Sequence, residues 1–293
     1  MNPEHFAFDI IDAIDKLYGH ITENTSSNDR HRHPVSELIT PEWHYSDSLK
    51  LSNDIRINWE DLERIDLVKG MIGSLEGILV SDDAMTVGGE FERSFCSWYQ
   101  PYHFLPRQKW GIHLRQDSWL RVAALFYRNC PSTAGRGPDS IKSAFLYLYV
   151  HELFHNIVEN AASVMEIMLS KSKVYTNYYT NIYSTVFNSS DCIEEALGNG
   201  YLFLWAEECH IDTEFLRNHL LKQGPGYRDF IRYHDLPNFS RATRMLLAQI
   251  RYGNLNANEY DPIEQLVDIP NPIKYSSVYN IPIWLHRKPK PLH

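Results

Sequence analysis

The chain has 293 residues, 43% hydrophobic and 13% aromatic, enough to bury a substantial core. Its 37 acidic against 28 basic residues leave a net charge of −9, which argues against non-specific nucleic-acid binding. No apolar run approaches the 18 or more residues of a membrane span, and the first residues, Met1-Asn2-Pro3-Glu4-His5, lack the basic and apolar regions of a signal peptide. A cytoplasmic protein with neither a nucleic-acid nor a membrane partner is expected.

From the N-terminus, residues 6–21 read as an amphipathic helix and 22–34 as a polar loop, in which His31-Arg32-His33 is a surface feature. Residues 58–80 are predicted helical despite Gly70, Gly73 and Gly77. Strand-like pieces follow over 95–115, chiefly Trp110-Gly111-Ile112-His113-Leu114, and 117–128 reads as a helix. Residues 110–115 are the candidate sheet strand, placed to be its edge. His103 and His113 are expected as surface or core histidines, with reach into a functional site as the alternative.

From Asp139 to beyond Lys173 no Gly or Pro intervenes, and Leu146, Val150, Leu153, Phe154, Ile157, Ala161, Val164, Met165 and Met168 recur at three- and four-residue steps. This predicts one long amphipathic helix, started by Gly137-Pro138-Asp139 with Asp139 or Ser140 as its cap. Within it His151-Glu152-Leu153-Phe154-His155 spells H-E-x-x-H, largely off the apolar stripe. On a helix the two histidines share a face and can bind one Zn²⁺, while Glu152 lies beside them as a general base.

A catalytic zinc normally takes three protein ligands and keeps one position open. Glu159 lies about 12 Å along the helix axis from His151, too far to close easily on one tetrahedral ion, so a solvated or supporting role is expected for it. Downstream, Asp191-Cys192-Ile193-Glu194-Glu195-Ala196-Leu197-Gly198-Asn199 opens a second predicted helix, 192–208. With Asp191 as cap, Glu194 falls at the capping-box position, and Glu195, about 100° away, is free to face the metal. Asn199, one turn later, is placed to accept an imidazole N–H, or is simply a polar residue before Gly200. Cys192 is expected as a buried inert thiol, and Cys96, Cys130 and Cys209 form no C-x-x-C pair with it or with one another.

Residues 149–199 resemble the gluzincin class of zinc metallopeptidases, in which H-E-x-x-H on one helix is completed by a glutamate from a following helix, commonly before a small and an apolar residue, as in Glu195-Ala196-Leu197. The 39 residues between His155 and Glu195 are more than most members carry. The resemblance implies a mainly helical α+β fold with a small β-sheet before the H-E-x-x-H helix, whose edge strand binds extended substrate. It implies Zn²⁺ held by His151, His155 and Glu195, and hydrolysis of a protein or peptide with Glu152 as the proton carrier. By order along the chain it points to Tyr233 and His234 as donors to the developing oxyanion, among other tyrosines and the nearby Arg228 and Arg232. The alternative is a non-catalytic zincin scaffold serving as a binding module, which gains nothing from a base at the position of Glu152.

The intervening 171–190 carries Tyr175, Tyr178, Tyr179 and Tyr183 and is either a wall or lid over substrate or a packing segment. Helices are then predicted over 212–223 and 239–252, and an extended piece over 279–285, where Pro282 restricts it to an edge or irregular position. Residues 1–94 are expected as a helical region packed on a metallopeptidase core of 95–293. The cationic 287–291 reads as a solvated tail.

Overall fold

The structure, a computed structural model, describes residues 55–57, 71, 75–76, 96–104, 110–207, 209, 211–257 and 281–286. All of them belong to one compact unit, Lys50–His293. The helix and loop expected over 6–34 and the tail 287–291 lie outside the described residues, as does most of 58–80, of which Met71, Leu75 and Glu76 are helical.

The unit is mainly helical with a small sheet. Strands β1 (Ile55–Ile57), β2 (Ser97–Gln100), β3 (Gly111–Arg115) and β4 (Ile283–His286) are arranged in the order β1-β4-β3-β2. The β1–β4 and β2–β3 pairs are antiparallel, and β3–β4 is parallel. The strand expected over 110–115 is therefore interior, and β2 is the edge beside it. Pro282 proves compatible with an interior strand because it sits just outside β4 and contributes only its carbonyl, which accepts from Ile112 N–H at 2.9 Å. β1 shares this sheet although it lies before residue 94.

Alternation along the strands separates two faces. Tyr99, Ile112, Leu114, Ile283 and Leu285 enter the core, while Trp98, His113 and His286 stack on the opposite face. Helix α1 (Gln116–Asn129) follows β3 directly and docks on the long α2 (Gly137–Met168). At that contact Trp119 packs on Phe145 and donates its indole N–H to Ile141 O at 2.8 Å, so its ring is buried without an unmet donor.

α2 starts earlier than Asp139. Its N-cap is Arg136 and Pro138 falls in the first turn, where a missing N–H costs nothing, while Ser140 Oγ donates back to Thr133 O and Arg136 O. The helix is buried around most of its circumference, so the apolar periodicity does not mark one solvent-facing side: Glu152, His155, Asn156 and Glu159 are buried, whereas Met168 at the end of the stripe is exposed. Polar residues survive there because each is hydrogen-bonded.

The segment after α2 is helical: α3 (Val174–Tyr178), a π-helical turn (Tyr179–Tyr183) and α4 (Ser184–Val186). Then come α5 (Ile193–Leu204), α6 (Thr213–Leu220), a 3₁₀ turn (Tyr227–Arg232) and α7 (Leu236–Tyr252). Asp212 and Asp235 cap α6 and α7 by accepting from Phe215 N–H and Asn238 N–H. Phe154, Tyr201 and Phe239 join α2, α5 and α7 in one aromatic cluster. Among the described residues no helix is long and apolar enough to cross a membrane.

Candidate metal centre

His151 and His155 project from the middle of α2, and α5 crosses them with Glu194, Glu195 and Asn199. Glu195 Oε2 lies 3.1 Å from His151 Nε2 and 3.7 Å from His155 Nε2. One ligand atom from each of the three residues lies within 4.8 Å of the other two. A tetrahedral ion with bonds of about 2.0–2.1 Å separates its ligand atoms by roughly 3.3 Å, so this spacing fits a metal of that kind.

The outer nitrogens are already committed. His151 Nδ1 lies 2.9 Å from Asn199 Oδ1, and His155 Nδ1 lies 2.6 Å from Glu194 Oε1. Each acceptor favours the proton on Nδ1 and leaves the Nε2 lone pair directed at the shared point. Asn199 is itself fixed by donating to Gln223 Oε1 at 2.7 Å and Tyr227 O at 2.9 Å, and Gln223 in turn donates to Tyr147 Oη at 2.7 Å.

Glu194 thus does not close a capping box. The cap of α5 is Cys192, with no side-chain cap bond, and both Glu194 oxygens are used in the core, by His155 and by Tyr178 Oη at 2.7 Å. Cys192 is buried, and burial with Glu195 beside it pushes its thiol far above its ordinary value, which makes it inert.

Electrostatics favour a cation at this point. Burial opposes charge on His155, yet Glu195 and Glu194 outweigh it and hold the imidazole well above its usual range. Burial also pushes Glu195 up, but His155 and His151 prevail and hold it well below the carboxylate range. Two buried carboxylates thus face two imidazoles where a divalent ion would fit.

Glu152 is buried beside the triad and accepts from Ser97 Oγ of the edge strand at 2.7 Å. Burial raises its pKa, and His151, His155 and Ser97 oppose that rise. Tyr183 donates to Glu195 Oε1, and the Tyr227 ring stacks on His151 at 5.7 Å, close to the same carboxylate. Burial, with Glu195 and Glu152 nearby, keeps the Tyr227 phenol protonated and a donor.

The contacts of Tyr233 and His234 lie within the 3₁₀ turn and against α5. His234 Nδ1 bonds Ile231 O at 2.7 Å and its ring lies against Phe203, while Tyr233 closes the 3₁₀ turn through its N–H to Phe230 O. Tyr227 is the residue of this stretch whose ring stacks on His151. The sequence signal for it is Gly224-Pro225-Gly226: Gly226 has φ +86°, and a Cβ there would meet Ser189 O at 3.0 Å, so the turn that delivers Tyr227 requires glycine. Glu159 is not solvated; it is fully buried and gathers Tyr99 Oη at 2.5 Å, His103 N–H at 3.0 Å and His103 Nδ1 at 2.5 Å. His103, partly buried, serves that cluster, and the buried His113 pairs with His286 Nε2 at 2.8 Å.

No known family model, curated protein or solved structure matches the chain.

Proposed function

We propose that the protein is a zinc-dependent peptidase of gluzincin type, on a zincin-like scaffold, that hydrolyses a peptide bond in a protein or peptide. The observation that carries it is the convergence of His151 Nε2, His155 Nε2 and Glu195 Oε2 with the buried Glu152 carboxylate at their side. Zinc, when bound, supplies Lewis acidity: it polarises a carbonyl and makes water nucleophilic near neutral pH.

The chain's own residues do the rest. Glu152, steadied by Ser97, accepts the proton of the attacking water and returns it to the leaving amine as the C–N bond breaks. Its raised pKa suits a group that must both take and give a proton. Tyr227 is the nearby neutral donor for the carbonyl oxygen as it gains charge. The edge strand β2, whose Ser97 touches Glu152, offers main-chain groups to an extended substrate.

Metal analysis and peptide cleavage by purified protein test the proposal. Glu152→Gln is expected to keep one zinc per chain and lose at least about 10²-fold in turnover, whereas His155→Ala loses both. A wild-type chain without zinc, or a Glu152→Gln variant that cleaves normally, overturns it.

A further inference from the structure

The 171–190 segment does more than pack. Two of its four tyrosines, Tyr178 and Tyr183, each donate to one member of the adjacent glutamate pair, Tyr178 to Glu194 Oε2 and Tyr183 to Glu195 Oε1. These tyrosines are five residues apart. On an α-helix such a pair points roughly 140° apart, so one segment could not present both hydroxyls to neighbouring side chains. Here Tyr179–Tyr183 is a π-turn, whose bonds close from i to i+5 and bring residues at that spacing towards one side. The wide turn matches the two phenols to Glu194 and Glu195, which themselves diverge by about 100° around α5.

The division of the Glu195 oxygens is unequal. Oε2 faces both imidazoles, and Oε1 is turned away into the Tyr183 hydroxyl. Tyr183 is further fixed by stacking on Tyr179 at 5.1 Å and by its edge contact with His155 at 6.2 Å.

We propose that Tyr183, delivered by the π-turn, is a positioning residue that occupies Oε1 of Glu195 and so makes this carboxylate a one-oxygen ligand to a divalent cation. The inference rests on the zinc reading of the site and adds what sets its coordination number. A carboxylate free to offer both oxygens would fill the position that water needs. Holding one back keeps the position open.

The test uses the full chain. Tyr183→Phe removes one hydroxyl and keeps the ring; it is expected to weaken zinc about 10–100-fold in chelator competition. With Co²⁺ substituted for zinc, its visible absorption falls, because a four-coordinate site absorbs more strongly than one of higher coordination. Tyr178→Phe, which acts through Glu194 and His155, keeps the wild-type Co²⁺ intensity. Zinc-edge X-ray absorption of the wild-type protein needs no variant and is expected to show a four-coordinate shell. A shell containing both Glu195 oxygens overturns the inference, as does Tyr183→Phe with wild-type zinc affinity and Co²⁺ intensity. If the wild-type chain binds no zinc, the proposed function falls and the inference with it; if it binds zinc and Tyr183→Phe behaves identically, the inference alone falls.

Discussion

Gly198 shows how finely the imidazole of His151 is seated. A Cβ at this position would lie 2.9 Å from His151 Cε1 and 3.0 Å from Nδ1, closer than a methyl and a ring can approach. Because Asn199 holds Nδ1 from the same helix, the ring cannot swing aside without losing that bond. Gly198→Ala is therefore expected to weaken zinc by about tenfold or more while α5 stays folded, since alanine favours the helix. Chelator competition alongside circular dichroism measures both; undiminished affinity would mean that the ring has room. At this scale the sequence was partly transparent. The pairing of His151 with His155, and of Glu195 with Asn199, follows from helical period within each helix, so it can be read. Glu194 reads as a capping-box residue because that is a contact within its own turn, whereas its partners His155 and Tyr178 come from other elements. Tyr227 is hard to read because Gly224-Pro225-Gly226 signals only a turn, and order along the chain points to Tyr233 and His234 instead.

Among elements, the long helices were legible because their periodicity is local, and the sheet was not because its pairing is distant. β3 meets β4 across some 170 residues, and nothing within 110–115 indicates that a C-terminal strand will cover one side of it. The connection after β2 depends on a similarly remote residue. Glu159 on α2 accepts from Tyr99 Oη, from the backbone N–H groups of Tyr102 and His103, and bonds the His103 ring. Tyr102 Oη adds a bond to Asn160 Oδ1 at 3.2 Å, so two adjacent residues of α2 hold the end of the edge strand. Glu159→Ala would leave several buried donors without an acceptor. A loss of about 3–5 kcal/mol in chemical denaturation is expected, with His151, His155 and Glu195 still competent for zinc in the folded fraction. A near-neutral effect on stability would show that the cluster is not an anchor, and a loss of zinc from folded protein would make Glu159 part of the metal centre.

The same cluster gives the whole molecule a pH dependence that is separate from the metal. Burial opposes charge on His103, but bonds to Glu159 and Glu166 outweigh it and raise its pKa from 6.5 to about 9. A histidine whose pKa is raised by folding stabilises the fold fully below its unfolded value. That contribution declines as pH rises from about 6.5 and is gone once pH has passed about 9. Its size is on the order of 3 kcal/mol, a sizeable part of the stability of a typical domain. His103 connects the end of β2 to α2, and its ring lies 4.9 Å from Tyr175 on α3, so losing its proton loosens the junction of the sheet, the central helix and the tyrosine segment together. Metal-free protein is therefore expected to lose denaturant stability steadily between pH 6.5 and 9. Groups elsewhere also titrate in that window, so the informative quantity is the difference from His103→Gln, which keeps a donor but cannot hold the charge. That variant should be less stable than wild type at pH 6 and should approach it by pH 9.5. Parallel pH profiles of the two proteins would place the titrating charge elsewhere and remove His103 from the account.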